Sequence, residues 1–189
     1  MAARNATFAV AASATAAALA LYASAARRRK HLAAMPKLEL HVHLDGAFDA
    51  QTLFDDAVER LAQLPDDIAS KLRACTDAAD FEALVSCAPT ERSLAAMLDR
   101  FMFFLPIVQG RLELVERLAH LFVQRQAEQN ILYTEVRHSP HLLATETIYE
   151  AGGAAAHDSL ERAREVVRAV TRGLRRGTEA TGVEVTQIL

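Results

Sequence analysis

The sequence predicts an α/β fold in which strands alternate with helices. Three short segments rich in aliphatic and β-branched residues have the composition of strands: 38–44, 131–136 and 183–189. The segments between them carry apolar residues at helical spacing. Because these connections are long enough for the chain to cross back over a sheet, they favour parallel pairing of the strands.

The first predicted strand carries two histidines. Apolar residues alternate with Glu39, His41 and His43, which places both imidazoles on one side of the strand. Residues two apart in a strand are about 7 Å apart, so both rings can turn toward one divalent ion. The alternative is a pair of partly exposed histidines without a ligand. Asp45 and Gly46 follow directly and favour a functional site, since glycine lets the backbone approach a ligand closely.

Helices are predicted between the first two strands. Apolar spacing indicates helices over 53–61, 90–105 and 111–129, the second closed by Pro106 and Gly110. A further helix is predicted before the last strand.

That last helix has recognisable boundaries in the sequence. Asp158, with Glu161 three residues later, has the pattern of an N-cap and capping box. Gly182 follows the last apolar residues at helical spacing and predicts the helix end.

Composition excludes several classes of partner. The 189 residues are 51% hydrophobic and 24% charged, with a net charge of -3, so no basic surface for nucleic acid is predicted. The two cysteines, Cys75 and Cys87, are too far apart for a CxxC motif. A small molecule is therefore the expected partner.

Residues 1–34 are predicted to be a leader separate from a domain at 35–189. An alanine-rich apolar run over 8–26 is followed by four basic residues at 27–30, and no acidic residue precedes Glu39. Three interpretations are open: a membrane anchor with the domain on the cytosolic side, a cleaved secretory signal, and an organelle transit peptide. A fourth is a cytoplasmic protein that begins at Met35.

Two sequence blocks resemble adenosine deaminases. PKLELHVHLDG at 36–46 is similar to the opening strand of that family, and YTEVRHSPHLLA at 133–144 is similar to its second strand and following loop. The resemblance covers about 36–189. It implies the N-terminal portion of a (β/α)8 TIM barrel, with about three of the eight strands present.

The resemblance also implies an activity and a site. The activity is zinc-dependent hydrolysis of adenosine and deoxyadenosine to inosine products and ammonia, in purine metabolism. His41 and His43 match metal ligands for one zinc ion, His43 also lies against the substrate, and Asp45 matches a residue that binds the ribose. The apolar wall over the nucleoside matches four residues of the second predicted helix: Leu94, Met97, Leu98 and Phe101. Plain helix core is the alternative for these four.

The catalytic residues of the family come from later strands and have no matching position here. No catalytic residue is therefore assigned, and this chain alone is expected to be inactive. Two alternatives stay open. One is a non-catalytic truncated barrel fragment, and the other is a sister aminohydrolase acting on adenine or AMP. The carboxylate of Asp45 favours a nucleoside, because it would repel a phosphate at that place.

Overall fold

The computed structural model describes residues 20–88, 90–91, 93–144 and 154–188, with side chains from residue 160 onward in the last range. The chain divides into two compact units between Lys37 and Leu38.

In the first unit, residues 20–34 are helical and exposed. The ammonium group of Lys37 donates hydrogen bonds to the carbonyls of Leu32, Ala33 and Met35 at 2.8 to 3.2 Å, which satisfies acceptors at the helix end. The structure describes no helix with the length and apolar character needed to cross a bilayer. Most of the apolar run predicted over 8–26 lies outside the described residues, and the membrane interpretation stays a prediction.

The remaining elements alternate as the sequence predicts. In chain order they are β1 (Lys37–His43), α1 (Ala50–Glu59), α2 (Asp66–Ala74), α3 (Ala78–Val85), α4 (Leu94–Val108), α5 (Leu112–Glu128), β2 (Ile131–Arg137), α6 (Pro140–Leu143), α7 (Ala154–Thr181) and β3 (Glu184–Ile188).

The three strands form one sheet in the order β1-β2-β3. β2 and β3 pair in parallel, from Tyr133 opposite Glu184 to Arg137 opposite Ile188. A parallel pair requires a crossover connection, and α7 supplies it here.

The longest helices, α5 and α7, pack closely because two glycines of α7 face α5. A Cβ at Gly173 would lie 2.2 Å from the carbonyl oxygen of Glu116, and one at Gly177 would lie 2.5 Å from the Cβ of Val123. Any side chain at either position would force the helices apart. The same glutamate accepts hydrogen bonds from Arg172 and Arg176 on α7.

The boundaries of α4 differ from the prediction of a helix over 90–105. The helix begins at Leu94, where the hydroxyl of Ser93 accepts a hydrogen bond from the amide of Ala96. It continues through Pro106 to Val108. The last turn is retained because Val108 is fully buried, so packing outweighs the hydrogen bond that proline cannot donate.

The predicted start of the last helix at Asp158 is wrong. The helix begins at Ala154, one turn earlier. Its first three residues are alanines, and alanine has the highest helix propensity of all residue types. Its predicted end is confirmed: the helix stops at Thr181, and Gly182 follows with φ +77°.

The burial of the side chains of β1 follows the alternation in its sequence only in part. Leu38 and Leu40 are 66% and 58% exposed. Glu39 is half-buried and accepts a hydrogen bond from the amide of Gln126 on α5, at 2.8 Å. Val42, three residues further on, packs against the core. Polar Glu39 and apolar Val42 both line a crevice beside α5. Burial therefore does not alternate evenly from one side chain of the strand to the next.

Candidate functional site

The two histidines of β1 converge as the sequence predicts. The Nε2 atoms of His41 and His43 are 3.3 Å apart, and the ring centroids are 5.3 Å apart with the planes tilted by 32°. Both residues are exposed. The second ring nitrogen of His43, Nδ1, faces the side chain of Asp45.

The spacing of these nitrogens fits a tetrahedral zinc ion. Two zinc–nitrogen bonds of about 2.05 Å at the tetrahedral angle place their nitrogens about 3.3 Å apart. His41 and His43 therefore match two corners of a coordination tetrahedron through their Nε2 atoms. Among the residues that the structure describes, no three metal-binding side chains form a cluster.

Asp45 lies directly beyond the histidines in a short 3-10 turn at Leu44–Gly46. It is buried, with 4% exposure, and its Oδ2 accepts a hydrogen bond from the amide of Ser139 at 3.2 Å. Its Oδ1 is 3.7 Å from the Nδ1 of His43. Burial raises the pKa of the Asp45 carboxyl, and the Ser139 amide and the nearby His43 partly offset this effect.

His138, for which the sequence predicts no role, is a buried imidazole next to Ser139. It is 6% exposed, and neither ring nitrogen has a hydrogen-bond partner among the described residues. Burial lowers the pKa of His138 to about 4, because a charged imidazolium loses its hydration there. This histidine is therefore neutral near pH 7.

The four predicted wall residues lie along α4, and three of them are exposed. Leu94, Met97 and Leu98 are 69%, 50% and 48% exposed, whereas Phe101 is half-buried and stacks edge-on against Phe104, with ring centroids 5.0 Å apart. The nucleoside-wall interpretation and the helix-core alternative therefore both stay predictions for these residues. Leu94, Met97 and Leu98 form an apolar surface that is open in the described part of the chain.

A cavity of about 520 Å³ opens beside Asp45. Its lining includes Asp49, Phe104 and Arg125, and it includes neither histidine of β1 and none of the four wall residues. One lining residue, Phe104, packs against the predicted wall residue Phe101.

Two adjacent side chains of α5 form hydrogen bonds with the segment that carries the site, and no local sequence pattern indicates them. Gln126 bonds to Glu39 before the histidines, as described above. Arg125 donates a hydrogen bond to the carbonyl of Ala47, and its Nη1 is 3.7 Å from the carboxylate of Asp49. Helix periodicity alone could not have indicated these contacts, because they join residues about 80 positions apart.

Comparison with known proteins identifies relatives of one kind. Residues 36–189 match the family model described as adenosine deaminase. The adenosine deaminase of Mus musculus is 33% identical over 159 residues, and that of Rattus norvegicus is 35% identical over 154 residues. Both alignments cover 82% of this chain and 41% of the relative. The chain thus spans about two fifths of the length of these relatives.

Solved structures with the same fold also match. An Arabidopsis N6-mAMP deaminase matches with a TM-score of 0.57 and 22% identity over 85% of this chain and 42% of its own. An amidohydrolase from Burkholderia ambifaria, solved with bound Zn, gives 0.58 and 19%, over 85% and 36%. An adenine deaminase from Arthrobacter aurescens gives 0.56 and 19%, over 82% and 39%. These matches confirm the predicted fold, part of a TIM barrel.

Proposed function

This chain belongs to the adenosine deaminase family, and we propose that the whole protein hydrolyses the 6-amino group of adenosine and deoxyadenosine, releasing ammonia. The observation that carries the proposal is the arrangement at the end of β1. Two convergent imidazoles and a buried carboxylate lie within five residues there. Such a group can hold a metal ion next to a polar substrate.

His41 and His43 would hold one zinc ion through their Nε2 atoms. When bound, the ion supplies a Lewis acid that lowers the pKa of water and makes it a nucleophile near neutral pH. With Nε2 on the metal, Nδ1 of His43 carries the proton and faces Asp45, 3.7 Å away. If this distance closed to that of a hydrogen bond, the carboxylate would hold the ring in the tautomer that metal binding requires.

Asp45 would accept a hydrogen bond from the sugar of the nucleoside. Its Oδ2 is already occupied by the Ser139 amide, which leaves Oδ1 and the remaining lone pairs for a hydroxyl group. A buried carboxylate that accepts a hydrogen bond from a ligand hydroxyl discriminates strongly between ligands. A ligand without that hydroxyl leaves a carboxylate oxygen without a hydrogen-bond partner. The exposed side chains of Leu94, Met97 and Leu98 on α4 would cover the apolar faces of the purine.

Deamination of a nucleotide such as AMP is the second candidate. The observation in its favour is Arg137 at the C-terminal end of β2, whose buried Nε has no hydrogen-bond partner among the described residues. An arginine there has N–H groups that can donate hydrogen bonds to a phosphate. The buried carboxylate of Asp45 opposes this candidate, because it would repel a phosphate at the sugar position.

The direct experiment measures ammonia release by the purified whole protein, supplied with zinc, from adenosine, deoxyadenosine, adenine and AMP. We expect the highest kcat/KM with adenosine or deoxyadenosine, and no turnover by a His41→Ala, His43→Ala double variant. Preference for AMP or adenine would replace the proposed substrate with that of a sister enzyme. Absence of turnover with all four would favour the non-catalytic alternative.

The present chain of 189 residues tests the remaining expectation. We expect no turnover from it, because the family supplies the other metal ligands and the proton-transferring groups from later strands. Turnover by this chain alone would contradict that expectation.

A further inference from the structure

Helix α5 is attached to the site segment at two places, one on each side of the functional residues. Gln126 bonds to Glu39, two residues before His41. Arg125 bonds to the carbonyl of Ala47, two residues after Asp45. The segment between these attachments contains both histidines and the buried carboxylate, so contacts from α5 flank the site on both sides.

We propose that Arg125 is a positioning residue: by holding the turn after Asp45 against α5, it fixes the carboxylate where the sugar of the substrate binds. This inference rests on the proposed function for the identity of the ligand. The role is not catalytic, because Arg125 contacts the turn and not the reacting atoms.

The chemistry of the guanidinium suits this role. Arginine presents several donors in one plane, so Nη2 donates to the Ala47 carbonyl while Nη1 lies 3.7 Å from Asp49. The carboxylate of Asp49 already accepts a hydrogen bond from the amide of Thr52 at 2.8 Å, and Asp49 is the N-cap of α1. Arg125 thereby joins three parts of the chain: α5, the turn after Asp45, and the start of α1.

The contacts of Arg125 are better suited to positioning than to stabilisation. Its side chain is 36% exposed, and an ion pair at 3.7 Å with that much solvent contributes little to the free energy of unfolding. The turn, in contrast, borders the cavity of about 520 Å³, which leaves room for Asp45 to shift once the arginine is removed. Small displacements of a binding group are sufficient to weaken substrate binding strongly.

The test is a double-mutant cycle between Arg125→Met and Asp45→Ala in the whole protein. The dissociation constant for adenosine is measured by calorimetry on zinc-depleted protein, and KM and kcat on the zinc-loaded enzyme. We expect Arg125→Met to raise both the dissociation constant and KM about tenfold, with kcat changed by less than about twofold. In the Asp45→Ala background, Arg125→Met should raise the dissociation constant and KM by less than about twofold, because the carboxylate that Arg125 positions is absent.

Two further variants distinguish a positioning role of Arg125 from a purely structural one. Arg125→Lys keeps one donor for the Ala47 carbonyl and should restore part of the lost affinity. Gln126→Leu removes the other attachment of α5 and serves as the matched control. It should lower Tm, because it leaves Glu39 half-buried without its partner, with a smaller effect on KM than Arg125→Met.

The outcomes keep this inference distinct from the proposed function. Wild-type protein that binds adenosine without turnover would overturn the deaminase proposal, while an unchanged dissociation constant in Arg125→Met would overturn the role of Arg125. An equal rise of KM in both backgrounds would also overturn it, because Arg125 would then act independently of Asp45. Wild-type protein that neither binds nor deaminates adenosine would overturn both.

Discussion

The amide of Ser139 donates a hydrogen bond to the buried carboxylate of Asp45 at 3.2 Å and so joins the ends of β1 and β2. The two residues are far apart in sequence, and each lies just after its strand. This bond is one reason why the carboxylate can be charged although its surroundings raise its pKa. It also aims the free lone pairs of Asp45 toward the side on which His43 lies.

Asp45→Ala should weaken substrate binding more than zinc binding. The side chain that would accept the sugar hydroxyl is lost, whereas the Nε2 atoms of His41 and His43 stay in place. We expect KM for adenosine to rise by about a hundredfold, which corresponds to roughly 3 kcal/mol for a charged hydrogen bond. Enzyme kinetics and metal analysis of the same samples provide the measurement. Equal losses of affinity for zinc and for substrate would instead assign Asp45 a structural role.

His41→Ala and His43→Ala should each abolish the retention of zinc by the whole protein. Removing one of two adjacent nitrogens leaves the ion with an incomplete coordination shell. The measurement is the zinc content per chain after dialysis against a weak chelator. The exposed residue His141 provides the control, since His141→Ala should keep the wild-type zinc content. A His41→Ala protein that retained one zinc per chain would refute the ligand assignment.

Burial of His138 should make stability depend on pH. Its pKa is lowered to about 4 in the folded protein, below the ordinary value of 6.5, so the unfolded chain binds the proton more tightly. Stability is therefore complete above about pH 6.5 and falls as the pH decreases toward 4, by at most about 3 kcal/mol. His138→Phe should remove most of this dependence between those two pH values. The measurement is the midpoint of urea unfolding over pH 4 to 7.5.

A control at the neighbouring helix makes that experiment specific. His141 lies three residues further along, on α6, and is exposed. His141→Gln should leave the pH dependence of the unfolding midpoint unchanged. If His138→Phe had the same slope as the wild type, acid destabilisation would have to be attributed to other groups.

Local sequence determined the features of the site that depend on neighbouring residues. The period of two in β1 and the identity of the residues at its end were enough to predict that His41 and His43 converge with Asp45 close by. Gly182 at the end of α7 likewise acts over a few residues. These predictions succeeded because strand geometry fixes which side chains share a face.

The features that the sequence did not indicate depend on packing between distant elements. Proline ends many helices, yet α4 continues past Pro106 because Val108 is fully buried there. Glu39 was expected to share the face of the histidines, but Gln126 on α5 draws it toward the helix layer. Leu38 and Leu40 are exposed in the described part of the sheet, although they belong to the apolar positions of the alternation. In each case the partner lies in another element, which no local pattern records.

The contact between α5 and α7 provides a prediction about stability in which the sign of the effect is the test. At an exposed helical position, Gly→Ala stabilises by about 1 kcal/mol, because alanine has the higher helix propensity. At Gly173 the new methyl group would lie 2.2 Å from the backbone carbonyl oxygen of Glu116, which no rotamer change can relieve. We expect Gly173→Ala to destabilise the protein by about 2 kcal/mol or more in urea unfolding. Gly177→Ala should also destabilise, because its methyl group would lie 2.5 Å from the Cβ of Val123, which the backbone holds in place. Gly46→Ala is the control and should be nearly neutral, since its methyl group would meet only the Cβ of His43 at 3.8 Å. A stabilising effect of Gly173→Ala would mean that the two helices are not packed this closely in solution.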